Sequence, residues 1–286
     1  MASSKLKSPI KQEQERVAGD KSSLLNKNLH LSIEVREDNL FACLLDKDTN
    51  QYLAWSSFNS KEPKRTLENI LEEEILNYKC SGYSVVFTHN SATLVPSAFF
   101  SPDSVKGYLK QQNLIKPGET ACYDFIKNND CYSAYAVGAS DYILLKHKYP
   151  HAVFRHHSSV FVEYLLALHK ATHKNEVHVY VFPSYMDIVV LQSGKLILYN
   201  RYQIKTPDDF TYFLLWIYEE LKLKQEDSIC SFYGEIEEKS EMFDLAAKYL
   251  KNTRLAEKTK QFTFSPMLES LPAHRYYSLF MQYQCI

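Results

Sequence analysis

One order of elements occurs twice in this chain, and that recurrence limits the folds open to it more than any other feature. From Leu29 the residues LHLSIEV alternate apolar and polar side chains, the period of a strand with one apolar face. Glu37-Asp38-Asn39 turns the chain, LFACLL returns, DKDTN turns it again, and QYLAWSSF reads as a third strand. Thr66 then fits a helix N-cap, with Leu67, Ile70, Leu71 and Ile75 as an apolar stripe behind it. After Ser81-Gly82, YSVVFTH gives a fourth strand. The order begins again at Val177: VHVYVF, a turn at Pro183-Ser184, MDIVVLQ, a hairpin turn at Ser193-Gly194, and KLILYNRYQI. Thr206 caps the next helix, Pro207 takes its first position, and Asp208 and Asp209 complement its dipole. Phe210, Phe213, Leu214, Ile217 and Leu221 form its stripe, and SICSFYG is the fourth strand. The first strands start 148 residues apart and the fourth strands 145. Two tandem β-β-β-α-β-α units in an α/β fold are therefore expected.

The boundaries that follow are a disordered tail at 1–28, a first domain at 29–174 and a second at 175–286. Within the first, a helix is expected near Ser104–Gln112, strands at Ala121–Phe125 and Cys131–Val137, a helix at Asp141–Lys148 and a strand at Ala152–Arg155. The helix in SSVFVEYLLALHKA is apolar on most sides and should be buried. In the second, Ser240 starts a helix with Phe243, Ala247 and Leu250 inward, and an apolar segment around Tyr276–Tyr283 closes the chain.

This duplicated arrangement resembles the ribonuclease-H-like fold of the actin–Hsp70–sugar-kinase superfamily. It looks nearer to the actin-like proteins of type IV pilus assembly. The stretches FLLWIYEELKLKQED (Phe213–Asp227), FYGEI (Phe232–Ile236) and PAHRYYSLF (Pro272–Phe280) are similar to an uncharacterised bacterial family of unknown function. The resemblance implies an actin-like ATPase architecture over residues 29 to 286, with a cleft between its halves. It also supplies positions to check for nucleotide chemistry. The superfamily places Asp-x-Gly on the first hairpin of each half, a carboxylate for a metal-bound water and a glycine to admit phosphate. Those places hold Glu34-Val35-Arg36 and Tyr180-Val181-Phe182 here, and the glycine pair of the adenosine turn is reduced to Gly234.

Composition agrees with that erosion. The chain has 7 glycines in 286 residues, no two closer than 11 positions, so neither GxGxxG nor GxxxxGK[ST] occurs. Family-type ATP hydrolysis is not expected, and no catalytic residue is assigned. Glu34 and Gly234 are kept as cofactor-binding candidates of a degenerate nucleotide cleft, with residual nucleotide binding the one cofactor left open. The alternative to a binding protein is a divergent nucleotide-binding protein or ATPase that uses the interdomain cleft.

Other candidates have structural explanations. His169 and His173 stand four apart at a helix end with His178 near in sequence, but no third ligand is evident and no metal site is assigned. Arg155-His156-His157 ahead of Ser158/Ser159 could take an anion at a helix N-terminus, yet a polar strand-to-helix loop explains it. His274 is expected to anchor the C-terminal segment through its ring. A net charge of −1, with only short basic groups beside acidic ones, makes nucleic acid an unexpected partner. Carboxylates for ribonuclease-type chemistry are confined to Glu34 and Asp187, in different halves. Six scattered cysteines without CxxC, no signal sequence and no membrane-length apolar run point to a cytoplasmic location. A protein or peptide partner is expected, with Trp55 and Tyr199 as candidate interface anchors and a homodimer left open.

Overall fold

Each copy of the repeat builds its own sheet with the third, second, first and fourth strands side by side. In the computed structural model, which describes residue 24 and residues 26–59, 66–89 and 91–285, the first six-stranded sheet has the order β14-β3-β2-β1-β4-β8. Its strands are β1 (Leu29–Val35), β2 (Asn39–Asp46), β3 (Gln51–Asn59), β4 (Gly82–Phe87), β8 (Val153–His156) and β14 (Thr263–Phe264). The second has the order β11-β10-β9-β12-β13, from β9 (Asn175–Val181), β10 (Tyr185–Gln192), β11 (Lys195–Gln203), β12 (Ser228–Gly234) and β13 (Thr253–Leu255). In both, the first three strands are antiparallel, and the fourth runs parallel to the first. The correspondence reaches the irregularities. The register slips at Leu44/Leu45 in one hairpin and at Val190/Leu191 in the other, 146 residues on. The tight turns are closed by Arg36 N–H to Asn39 carbonyl and by Phe182 N–H to Tyr185 carbonyl, again 146 apart.

A third, antiparallel sheet, β5-β7-β6, is inserted before β8. It comprises β5 (Ala92–Pro96), β6 (Glu119–Ile126) and β7 (Cys131–Gly138). The helices are α1 (Leu67–Leu71), α2 (Val105–Gln111), α3 (Ala139–Lys148), α4 (His157–Leu168), α5 (Pro207–Glu220), α6 (Glu241–Tyr249) and α7 (Tyr277–Met281). The chain divides into two compact units. One holds Leu165–Lys258 and Pro272–Tyr277; the other holds the described residues up to Tyr164 together with Thr259–Leu271 and the residues from Ser278 onward. The expected tail at 1–28 lies outside the described residues, save Leu24 and residues 26–28.

Local chemistry accounts for the helix starts. Thr206 Oγ1 accepts from Asp209 N–H at 3.1 Å while Asp209 Oδ2 accepts from Thr206 N–H at 3.0 Å, a reciprocal capping box. Ser240 caps α6, but Met242, Ala246 and Leu250 face inward with Phe243 half-buried. The expected Ala247 is exposed, so the buried stripe is offset by one position. Helix α4 is buried along residues 157–166, as its apolar character requires.

The first sheet departs from a half-solvated one. Leu31, Ile33 and Val35 pack with Ala42, Leu44, Ile70, Ile75, Val85 and Phe87 on one face. The opposite face of β1 carries His30, Ser32 and Glu34, and these are buried too. The C-terminal segment covers that face. Gln282 donates to the Ile33 carbonyl and accepts from Ser84 Oγ, and the Tyr52 hydroxyl reaches the Phe280 carbonyl. Trp55 is fully buried and belongs to the core, and Tyr199 is half-buried with its hydroxyl on Asp187, which removes Trp55 as an interface anchor.

Candidate functional site

The two hairpins that would face phosphate in an actin-like protein are closed by their own side chains. In the first, Glu34 leaves β1 toward the buried polar face and is 0% exposed. Arg36, two residues on and at the turn, places its Nε 2.6 Å from Glu34 Oε1 and its guanidinium 4.6 Å above the Phe41 ring. Glu34 Oε2 is buried without a hydrogen bond. Glu34 is thus a buried, ion-paired group, not the solvated strand residue that period-two patterning suggests.

The second hairpin is filled by rings. Tyr180 and Phe182 stack with centroids 4.8 Å apart, and Phe182 stacks on Tyr185 at 4.4 Å. Arg201, carried across from β11 by the β10–β11 register, lies 4.0 Å over the Tyr185 ring. Its Nε and Nη2 reach Asp187 Oδ1 and Oδ2 at 2.6 and 2.8 Å, a forked arrangement that matches guanidinium to carboxylate. Burial works against the charge on Arg201, but Asp187 and Tyr185 outweigh it and hold the guanidinium protonated.

Gly234 ends β12 with φ +80°. A Cβ there would overlap the Val181 carbonyl and come within 2.8 Å of the Tyr180 ring, so glycine is what lets strand and ring pass. Its N–H donates to the His274 carbonyl at 2.8 Å, and the His274 ring nitrogen Nε2 lies 2.8 Å from the Ile236 carbonyl. His274 therefore ties the 272–277 segment to the turn, the anchoring expected of it. Burial lowers the pKa of its ring and keeps it neutral for that contact.

The other sequence candidates resolve differently. Arg155-His156-His157 is a buried network. Arg155 Nη2 donates to Glu163 at 2.9 Å, and Asp124 accepts from His156 N–H at 2.8 Å and from Tyr135 at 3.0 Å. Burial raises the Asp124 carboxyl above its ordinary pKa, against the pull of Arg155. His156 Nδ1 and Ser158 Oγ are 2.7 Å apart, a nucleophile-like pair, yet both residues are 0% exposed. His169 and His173 do not share a helix face, because α4 stops at Leu168 and His173 is exposed. His169 instead meets Glu176 and His178, a grouping the sequence spacing did not reveal.

The family model described as "Protein of unknown function (DUF3822)" matches residues 20–253. The chain belongs to that family. No curated protein matches it. Among solved structures, this member of the DUF3822 family is similar to a Bacteroides thetaiotaomicron protein with actin-like ATPase fold and unknown function. Identity is 19%, the TM-score is 0.73, and the match covers 80% of this chain and 91% of that one. It is also similar to a chain of the PilM–PilN type IV pilus biogenesis complex, at 9% identity and a TM-score of 0.54 over 88% and 96%. The fold is the mixed α/β, actin-like ATPase fold. Among the described residues no helix is long and apolar enough to cross a membrane.

Proposed function

We propose that this chain is a non-catalytic binding or scaffold protein, in which two ribonuclease-H-like halves serve as platforms for a protein or peptide partner. The filling of the second hairpin by Tyr180, Phe182 and the Asp187–Arg201 pair carries the reading. A phosphate group needs bare backbone N–H groups at close approach, and bulky rings with an internally satisfied guanidinium leave neither. The Glu34–Arg36 pair supports the same conclusion for the first hairpin, because the cation that would meet phosphate is already held by a carboxylate. A protein of this fold occurs with a second protein in the PilM–PilN complex, which favours a protein partner here.

The surface offers candidates for docking. Tyr123 and Phe125, two apart on β6, are exposed on one face of the inserted sheet, beside the stacked Phe100 and Tyr132 rings. Tyr212 and Trp216 are exposed at i and i+4 on α5. Aromatic side chains on open surface are the residues that anchor interfaces.

A divergent nucleotide-binding role is the second reading, favoured by the unbonded Glu34 Oε2 and by the backbone freedom at Gly234. A thermal-shift series with Mg-ATP separates the two. The scaffold reading expects no shift. A rise of several degrees that Glu34→Ala removes would overturn it in favour of nucleotide binding.

A further inference from the structure

The connection from α4 to β9 holds a cluster that the hairpins do not explain. Helix α4 ends at Leu168, which frees His169 at the start of a turn, and residues 170–174 lead into β9. A strand sends alternate side chains to opposite faces, so Glu176 and His178 share one face of β9, opposite Val177 and Val179 in the apolar core. One ligand-type atom from each of His169, Glu176 and His178 lies within 4.8 Å of the others. The residues are 9%, 4% and 0% exposed.

Hydrogen bonding within the protein does not complete this cluster. His169 Nε2, Glu176 Oε2 and His178 Nε2 are all buried and have no hydrogen-bond partner. Each such atom ordinarily costs about 1–3 kcal/mol, so three at one place call for a further group. His169 Nδ1 stands 3.4 Å from Glu176 Oε1. That is longer than a charge-assisted hydrogen bond of about 2.7–2.9 Å.

The neighbours prepare the imidazoles for a cation. His178 Nδ1 is 3.0 Å from the Tyr233 hydroxyl. A proton on Nδ1 donated to that oxygen leaves Nε2 as a bare lone pair, the outer-shell arrangement that orients ligating histidines. Gly194 fixes the turn from the other side. It has φ +72°, and a Cβ on it would lie 2.9 Å from the His169 carbonyl and 3.0 Å from the Lys170 carbonyl. The β10–β11 hairpin can therefore press on the backbone of His169 only because residue 194 lacks a side chain.

We propose that His169, Glu176 and His178 form a binding site for one divalent transition-metal ion of the zinc class, with water in the fourth position. Two imidazoles and a carboxylate suit zinc, whereas calcium and magnesium prefer all-oxygen sets. The ion pins the α4–β9 turn to one face of the second sheet at its central strand, β9, and its ligands lie outside the two tight turns at 36–39 and 182–185.

The test uses the whole chain, stripped with a chelator and titrated with zinc chloride by calorimetry, with cobalt(II) as a visible probe of coordination. One zinc per chain is expected, together with cobalt d–d bands stronger than those of the aquo ion. Glu176→Gln and His169→Gln should each weaken zinc binding at least tenfold, and Tyr233→Phe by about 10- to 100-fold. His173→Gln, at an exposed position, should leave it unchanged. Circular dichroism checks that each variant is folded. His169→Gln, in the turn, carries the test if Glu176→Gln does not fold. Absence of saturable zinc uptake by the unaltered chain, or uptake that survives these substitutions, would overturn the assignment.

Discussion

Replacing Arg201 by Met separates the ion pair of the second hairpin from the packing around it. The guanidinium makes two bonds to Asp187, at 2.6 and 2.8 Å, with side chains 7% and 0% exposed. Removing one partner of a buried pair strands the other charge and costs about 3–5 kcal/mol. The stacking of the cation on Tyr185, at 4.0 Å, adds about 1 kcal/mol to the loss. The Tyr199 hydroxyl, 3.3 Å from Asp187 Oδ2, stays in place and offsets about 1 kcal/mol. The net expectation is about 3–5 kcal/mol, a large share of a typical total of about 5–15 kcal/mol. Urea denaturation at pH 7, followed by circular dichroism, measures it. A second variant sharpens the test. Asp187→Leu combined with Arg201→Met removes both charges and should recover stability to within about 1 kcal/mol of the unaltered chain. A loss below about 1 kcal/mol in the single variant, or a double variant less stable than the single, would refute the reasoning.

Further outcomes follow from the same structure. Gly234→Ala should cost about 2–4 kcal/mol, from left-handed backbone strain and loss of the His274 contacts; a change under 1 kcal/mol in urea titration would contradict the turn geometry. Trp55→Ala should cost about 3–5 kcal/mol, as a core ring does, and a neutral result would return Trp55 to the surface. Burial, aided by Lys47, pushes His30 down to about 4, so the folded ring stays neutral where the unfolded ring takes a proton. Stability should be flat above pH 6.5 and fall as the pH drops from 6.5 toward 4, by up to about 3 kcal/mol from this residue. Urea midpoints at pH 7 and pH 5 should differ less in His30→Gln than in the unaltered chain, and an equal difference would contradict the assignment.

The repeat made the sheet order legible, because hairpin and helix signals are local. The period of two in LHLSIEV identified the strand and its apolar face, but could not show that His30, Ser32 and Glu34 would be covered. Their cover arrives from Gln282 and its neighbours, some 250 residues away in sequence. The short strands β5, β13 and β14 gave no signal, since two to five residues cannot establish a period. The positions Glu34–Arg36 and Tyr180–Phe182 came from the resemblance to the actin-like superfamily, which places a phosphate loop on the first hairpin of each half. What fills them was partly hidden, since Asp187 meets Arg201 only through the β10–β11 register. The His169 cluster was obscured for a different reason. Nothing in ALHKATHKN marks the stop of α4 at Leu168, and a helix continued for one more turn pairs His169 with His173 instead of Glu176.

Isothermal titration of the unaltered chain with Mg-ATP, with phosphate release followed on the same sample, tests the central claim most directly. The closed hairpins predict no saturable heat and no phosphate above the uncatalysed background. Saturable uptake of one nucleotide per chain with release of phosphate would contradict the account.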